Sequence, residues 1–287
     1  AISYIPKFVL TMWVLIRSRP DYVFVQLAPT PLLYTVILYR SLFGGKIVAD
    51  CHNTMIYDDH WVKWPLAKQM LRRSDITLVH NDDVQKLARA MDIDTLILRD
   101  PLPLMKVSPD IREVAGIDLT NPPYVIIPCG IAADEPVDEL FGAIRAVPDT
   151  LFVMTWFAEK LAADVRANVP ENLCLTGYLP EHEFNALYAN ARAALVLTTR
   201  EGTQPSGASE AIALGIPLIM SALATTKRLY GDAPVFVQNN AESIATGILT
   251  ALRKYDECSD AIISLRGALA EDANAQIDRI HAMLIRK

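Results

Sequence analysis

Short runs of apolar, mostly β-branched residues alternate with longer stretches of helical periodicity along the whole chain. Nearly every residue within the short runs is apolar, which is typical of parallel strands covered on both faces. Strand–helix alternation of this kind predicts an α/β fold with doubly wound parallel sheets. The predicted strands are Tyr22–Gln26, Lys46–Cys51, Ile76–His80, Leu96–Arg99, Tyr124–Pro128, Leu151–Thr155, Leu173–Thr176, Ala194–Thr198, Pro217–Met220 and Pro234–Val237.

A proline-rich segment, residues 100–123, separates these strands into two sets. Because ten parallel strands would make an unusually wide open sheet, we predict two Rossmann-like domains, residues 1–107 and 108–269. A last helix, Glu271–Arg286, carries a one-sided apolar stripe, so residues 270–287 are expected to pack back on the first domain. The chain begins within a helical pattern instead of a strand, and the first domain is therefore expected to lack its N-terminal part.

The composition of the chain argues against several classes of protein. With 287 residues, 52% of them apolar, and a net charge of −6, the chain is not disordered. Its longest apolar runs, residues 8–16 and 31–39, fall short of the roughly 18 residues that span a bilayer. The four cysteines lie far apart, which argues against a zinc site or a disulfide framework and favours a reducing compartment.

Charge is unevenly distributed. Residues 1–73 hold nine Lys and Arg and four Asp, a net +5, so the remainder carries −11. This basic segment suits either an anionic membrane or substrate, or a solvated helix face. Its apolar residues Phe8, Met12, Trp13 and Ile16 indicate a membrane-interface helix or a core helix, and we expect core for most of them.

The most informative cluster is the segment from Thr198 to Pro217. A strand ends there, a polar glycine-containing loop follows, and a helix is expected to start near Pro205–Ser206. The free N–H groups of such a helix start can bind a pyrophosphate. Glu201 lies on the loop, and Glu210 lies about one turn into the helix, where its carboxylate can accept two sugar hydroxyls. The alternative is a capped helix with two solvated glutamates.

This cluster resembles the donor-site signature of retaining glycosyltransferases of the two-Rossmann GT-B fold, family 4. Residues 210–217, Glu-Ala-Ile-Ala-Leu-Gly-Ile-Pro, match its second half, whereas Glu201 lies one residue farther from Glu210 than in the family. The resemblance implies that Glu210 binds the donor ribose and that Glu201 is a catalytic residue contacting the sugar. The other donor-binding residues expected here are Thr199, Arg200, and the amides of Ser206, Gly207 and Ala208.

A preceding segment, residues 171–191, is similar to the family's strand–turn–helix before the donor loop. The resemblance places the nucleobase against the backbone after Gly177, at Tyr178 and Leu179. The Tyr178 ring is expected either to stack on the base or to be half-buried. The family also has an Arg and a Lys after the first strand of this domain, but residues 128–136 offer only acids. Lys160 and Arg200 are the nearest candidate cations.

A second strand end carries His52 and Asn53. In the family a histidine here faces the donor sugar, so His52 is expected to be catalytic and Asn53 to lie on the acceptor side. The other histidines show no metal-ligand spacing, and Asp58-Asp59-His60 is interpreted as a polar loop, so no metal site is expected. Three stretches, residues 19–31, 43–53 and 98–103, are similar to the β-1,4-mannosyltransferases that act on chitobiosyl-pyrophosphoryl-dolichol.

Together these features predict a metal-independent hexosyltransferase of polysaccharide or glycoconjugate biosynthesis. It would use a UDP- or GDP-sugar donor, a glycan or polyprenyl-linked acceptor, and no cofactor. We expect no nucleic-acid partner and a cytoplasmic location, peripheral at the inner face of the membrane. Two alternatives stay open, which are a non-catalytic GT-B partner subunit and a nucleotide-sugar epimerase of the same fold.

Overall fold

A computed structural model describes residues 4–57, 60–120, 123–128 and 134–286. The chain forms two compact units. The first unit comprises residues 1–101 and 271–287, and the second comprises residues 102–270. The boundary thus lies six residues before the predicted one at 107/108.

The first unit is built on a four-stranded parallel sheet in the order β1-β2-β3-β4. Its C-terminal portion belongs to a long helix, in which Ile280 and Leu284 pack with Val48, Ile76 and Leu78. Its elements are α1 (Tyr4–Ser18), β1 (Tyr22–Leu27), α2 (Thr30–Phe43), β2 (Lys46–Cys51), α3 (Asn53–Ile56), α4 (Ala67–Arg72), β3 (Ile76–Val79), α5 (Asp82–Arg89) and β4 (Leu96–Ile97).

The second unit contains a small hairpin and a six-stranded parallel sheet. The hairpin pairs β5 (Glu113–Val114) with β6 (Ile117–Asp118). The following elements are β7 (Tyr124–Ile127), α6 (Val137–Arg145), β8 (Leu151–Met154), a 3₁₀ turn (Ala158–Lys160), α7 (Ala163–Ala167), β9 (Leu173–Leu175), α8 (Glu181–Ala189), β10 (Ala193–Val196), α9 (Ser206–Leu214), β11 (Leu218–Ser221), α10 (Ala224–Tyr230), β12 (Val235–Val237), α11 (Ala241–Arg253) and α12 (Tyr255–Arg286).

The strand order of the larger sheet is β12-β11-β10-β7-β8-β9, the Rossmann order in which the first and fourth strands are neighbours. All four residues of β7 and all four of β10 are buried. Helices on both faces exclude water from these strands, which accounts for their uniformly apolar sequences. The α/β fold predicted from the sequence is confirmed, and all ten predicted strands are present.

Two parts of the prediction differ from the structure. The β5–β6 hairpin lies in the segment read as a linker, and its turn at Ala115 and Gly116 has positive φ angles of 52° and 79°. The last helix begins at Tyr255 instead of Glu271 and is 32 residues long, so it runs from the second unit into the first.

The interpretation of α1 as mostly a core helix was wrong. Only Leu15 is buried in this helix, whereas Trp13 is 58% exposed and Phe8 37% exposed. Within the described part of the chain, no helix combines the length and the apolar character needed to cross a bilayer.

Candidate functional site

The candidate donor site lies where β7 and β10 are neighbours in the second unit. In sheets with this strand order, ligands bind beyond the carboxyl ends of the strands, at the point where the strand order reverses. The loop after β10 contacts the loop after β7, because the Thr198 hydroxyl donates to the Asp134 carboxylate at 2.9 Å. The Thr199 amide and hydroxyl both donate to the Asp134 carbonyl oxygen, at 2.7 and 3.0 Å.

Thr198 is also bonded to the neighbouring strands. Its amide donates to the Ser221 hydroxyl at 2.9 Å, and its carbonyl accepts from the Asn239 side chain at 3.0 Å. Its hydroxyl oxygen accepts from the Arg200 amide at 3.1 Å. The buried threonine therefore fixes the start of the polar loop against the ends of β11 and the chain after β12. Residues 129–133, on which the predicted lack of cations partly depends, lie outside the described residues.

The helix predicted to begin near Pro205–Ser206 begins at Ser206, and no side chain caps it. Among the described residues, no acceptor faces the amides of Ser206 and Gly207. The Ala208 amide was also expected to bind the donor. In the structure it donates to the Pro205 carbonyl at 3.1 Å instead. Two free amides and the helix dipole suit an anion at this end of α9.

Gly207 brings α9 close to the strand ends. A Cβ atom at this position would lie 2.6 Å from Cγ of Pro128 and 3.3 Å from Cγ2 of Val196. The Gly207 carbonyl accepts a hydrogen bond of 2.6 Å from the Tyr188 hydroxyl of α8. The helix start is therefore held rigidly beside β7 and β10, which is the arrangement that a preformed anion site needs.

Glu210 lies in α9, four residues after Ser206. Its Oε2 atom is buried and has no hydrogen-bond partner among the residues that the structure describes. Burial raises the pKa of Glu210 to about 7. A buried carboxylate oxygen without a donor is costly unless a ligand supplies one, and ribose or sugar hydroxyls are donors of this kind.

Glu201 has a different environment from the one expected of a catalytic residue. Its two carboxylate oxygens accept hydrogen bonds from the amides of Ala224 and Thr225, at 2.9 and 3.0 Å. The hydrogen bond from the Thr225 amide is the main cause that lowers the pKa of Glu201. The carboxylate thus caps the start of α10 in the structure, and its predicted contact with the sugar stays a prediction.

The turn after β9 presents Tyr178 with 77% of its surface exposed, while Leu179 is partly buried against the core. The Gly177 amide donates to the Trp156 carbonyl at 2.9 Å, so this turn lies beside the loop after β8. In that loop the Lys160 ammonium lies 3.9 Å from the centre of the Phe157 ring. An exposed ring and a cation therefore lie on adjacent loops of one sheet edge.

The first unit carries a separate polar cluster at the carboxyl end of its sheet. Nε2 of His52 lies 2.7 Å from the Gln26 amide nitrogen and 3.5 Å from Oδ2 of Asp50. Nε2 of His80 lies 2.9 Å from Oδ1 of Asp50, and its Nδ1 lies 3.2 Å from Oδ1 of Asp100. The side chain of Asn53, predicted to lie on the acceptor side, is not among those that the structure describes.

Within this cluster, the pKa values of His80 and Asp100 are shifted by their contacts with each other and with Asp50. Burial lowers the pKa of His80, but its contacts with Asp100 and Asp50 outweigh burial and raise the pKa to about 10. The contact with His80 lowers the pKa of Asp100. Sequence reasoning identified His52 but missed Asp50, His80 and Asp100. The available signal was their position, since each lies at or directly after the end of a predicted strand.

Comparisons with known proteins agree with this geometry. Residues 159–266, all in the second unit, match the family described as "Glycosyl transferases group 1". No curated protein sequence matches the chain. The fold is similar to the sucrose-phosphate synthase from Thermosynechococcus elongatus, with 16% identity, a TM-score of 0.71, and coverage of 99% of this chain and 79% of that one.

Two further solved structures share the fold. HepE of Anabaena, solved in complex with UDP, has 13% identity and a TM-score of 0.73, over 98% of this chain and 82% of that one. A UDP-N-acetylglucosamine 2-epimerase has 14% identity and a TM-score of 0.59, over 88% and 70%. At these identities the likeness establishes the fold, so the predicted GT-B fold is confirmed. The family match confirms the predicted glycosyltransferase resemblance of the second unit, while the narrower resemblance of the first unit stays a prediction.

Proposed function

We propose that this chain is a nucleotide-sugar-dependent glycosyltransferase whose donor binds the second unit. The observation that carries the proposal is the buried Oε2 atom of Glu210, which has no hydrogen-bond partner among the described residues. It lies on the same helix as two amides that find no acceptor among those residues. In this proposal the donor diphosphate lies at the amides of Ser206 and Gly207, and its ribose hydroxyls donate to Glu210. The family match of residues 159–266 supports the same assignment.

The remaining donor contacts are proposed from residues on the loops at the carboxyl edge of the second unit's sheet. The base would lie against the backbone at Tyr178 and Leu179, with the exposed Tyr178 ring available for stacking. Lys160 and Arg200 are exposed side chains on the loops after β8 and β10, the strands on either side of β7, and would screen the diphosphate. A leaving nucleoside diphosphate needs such stabilisation as the glycosidic bond breaks.

The finer parts of the proposal concern sugar, acceptor and location. We propose transfer of a hexose from UDP- or GDP-sugar to a glycan or polyprenyl-linked acceptor, without a metal ion in the transfer step. The catalytic role of His52 that the resemblance implies is part of this proposal. The exposed apolar side chains of α1, with Lys7 and Arg17 on the same helix, support peripheral contact with an anionic membrane.

A nucleotide panel and a product assay test the proposal. Stabilisation of the protein by UDP or GDP against heat, but not by AMP, is the expected result. Incubation with the matching nucleotide sugar should release nucleoside diphosphate in proportion to added acceptor. An altered sugar formed without acceptor would favour the epimerase, which shares this fold. No response to any nucleotide would favour the non-catalytic partner.

A further inference from the structure

Three side chains of metal-ligand type lie together at the carboxyl edge of the first unit's sheet. Asp50 belongs to β2, His52 follows β2 directly, and His80 directly follows β3, which pairs with β2. One ligand atom from each lies within 4.8 Å of the others. We propose that Asp50, His52 and His80 bind a divalent transition-metal ion, for which Zn²⁺ is the probe.

The distances suit a shared ion. Ligand atoms bound at about 2.0–2.2 Å to one tetrahedral zinc ion lie roughly 3.3 Å from each other. The Asp50 carboxylate reaches both histidines at nearly this separation, with 2.9 Å from Oδ1 to Nε2 of His80 and 3.5 Å from Oδ2 to Nε2 of His52. The ligand atoms of the two histidines lie within 4.8 Å of each other, so they would have to move closer to share one ion.

The candidate ligand atoms of Asp50 and His80 lack hydrogen-bond partners within the described part of the chain. Nε2 of His52 differs, because it lies 2.7 Å from the Gln26 amide nitrogen and would exchange that contact for the ion. Oδ1 of Asp50 and both ring nitrogens of His80 are buried, yet none of them forms a well-directed hydrogen bond. The contacts between these atoms are short enough for ion pairs, but their directions do not match hydrogen bonds. Buried polar atoms in this state call for an additional partner, and an ion bound between Asp50 and His80 would supply one for both residues.

Asp100 supplies the outer contact that metal-binding histidines usually have. Its Oδ1 lies 3.2 Å from Nδ1 of His80, so the Nδ1 proton of the ring can face Asp100 while Nε2 faces Asp50. A ligating histidine almost always donates its other N–H group to a carboxylate, carbonyl or water. The side chains of His52 and Asp50 are 38% and 28% exposed, which leaves a route for the ion and for water ligands.

The ligand set indicates the class of ion. Two imidazoles and one carboxylate suit Zn²⁺ and related first-row ions, whereas Ca²⁺ and Mg²⁺ prefer oxygen ligands. The ion is proposed to join the ends of β2 and β3. Because His52 is also proposed as a catalytic residue, a bound ion is expected to change the rate of sugar transfer. The competing occupant is a proton, which would leave His80 as an imidazolium between two carboxylates.

Calorimetric titration of the chelator-treated full chain with ZnCl₂ tests the site without any nucleotide. One equivalent should bind, and His52→Ala and His80→Ala should each weaken binding by at least about 100-fold. Asp100→Asn should weaken it by about 10- to 100-fold, as for other outer contacts. His281→Ala is the matched control, because this exposed histidine lies in the same unit but outside the cluster. It should bind Zn²⁺ as the wild type does.

Circular dichroism distinguishes a variant that has lost the zinc site from one that has failed to fold. His52 is the most exposed ligand, so His52→Ala is expected to keep the wild-type spectrum while losing the ion. Absence of Zn²⁺ binding by the wild type, or equal binding by the folded His52→Ala protein and the His281→Ala control, would overturn the proposal. Neither result bears on nucleotide binding by the second unit.

Discussion

The Thr198 hydroxyl donates a 2.9 Å hydrogen bond to the Asp134 carboxylate and so joins the loops that follow β10 and β7. The same oxygen accepts from the Arg200 amide at 3.1 Å. These two strands are neighbours only because of the Rossmann strand order, since 64 positions separate the two residues along the chain. The candidate donor site is thus set by sheet topology together with one buried side chain.

Thr198→Val tests this relationship. The substitution keeps the shape of the side chain but leaves the Asp134 oxygen and the Arg200 amide without their partner. Leaving such groups unsatisfied costs about 1–3 kcal/mol, so the free energy of unfolding in urea should fall by that amount. Thr198→Ser retains the hydroxyl and should lose much less. Equal losses for both substitutions would mean that the methyl group, and not the hydrogen bonds, matters here.

Gly207 should not tolerate alanine. Alanine normally favours a helix by about 1 kcal/mol over glycine, but here its Cβ would overlap Pro128. Overpacking of this kind costs about 1–3 kcal/mol, so Gly207→Ala should melt at a lower temperature than the wild type. Gly267→Ala is the control, because Gly267 is also helical, in α12, and nothing lies within 4 Å of a Cβ added there. That variant should melt no lower than the wild type.

Glu201 should contribute stability through α10. Its carboxylate accepts from two amides at the start of that helix, so Glu201→Ala should destabilise the protein by about 1 kcal/mol, as the loss of a helix cap does. Glu271→Ala, at an exposed position inside α12, should stay within a few tenths of a kcal/mol in the same urea titration. A Glu201→Ala protein that is as stable as wild type but transfers no sugar would contradict this capping role and support the predicted catalytic one.

The raised pKa of Glu210 predicts a pH-dependent stability. The carboxyl titrates near its ordinary value of 4.5 in the unfolded chain and near 7 in the folded one. Between these values the folded protein holds a proton that the unfolded chain releases, so stability falls as pH rises through this window. Glu210→Gln lacks this dependence. Relative to wild type, it should therefore gain stability from pH 5 to pH 8, and a constant difference would contradict the assigned burial.

Most strands could be predicted because burial on both faces requires apolar residues at successive positions. The strand β1 was also predicted, although its burial alternates and Tyr22 and Phe24 are exposed. Each predicted strand is a short run of mostly apolar residues, and such runs can be recognised without knowing which strands are their neighbours. The β5–β6 hairpin was missed because each of its strands has only two residues. The helix α1 was misjudged because its sequence is apolar on most faces, so no polar side distinguishes a buried helix from an exposed one.

Site residues were predictable where local sequence decides their environment. The start of α9 and the place of Glu210 on it follow from the chain between residues 205 and 215. The partners of Glu201 do not, because the amides that it caps belong to a helix more than twenty positions later. His80 was passed over for the same reason, since Asp50 and Asp100 reach it only through the pairing of adjacent strands.

Calorimetric titration of wild type and Glu210→Ala with UDP and GDP tests the central claim most directly. If a nucleoside diphosphate lies on the free amides of α9 with its ribose on Glu210, the wild type should bind one of the two nucleotides. The variant should then give no measurable heat while its circular dichroism spectrum is unchanged. Binding of that nucleotide by Glu210→Ala with the affinity of the wild type would contradict the account.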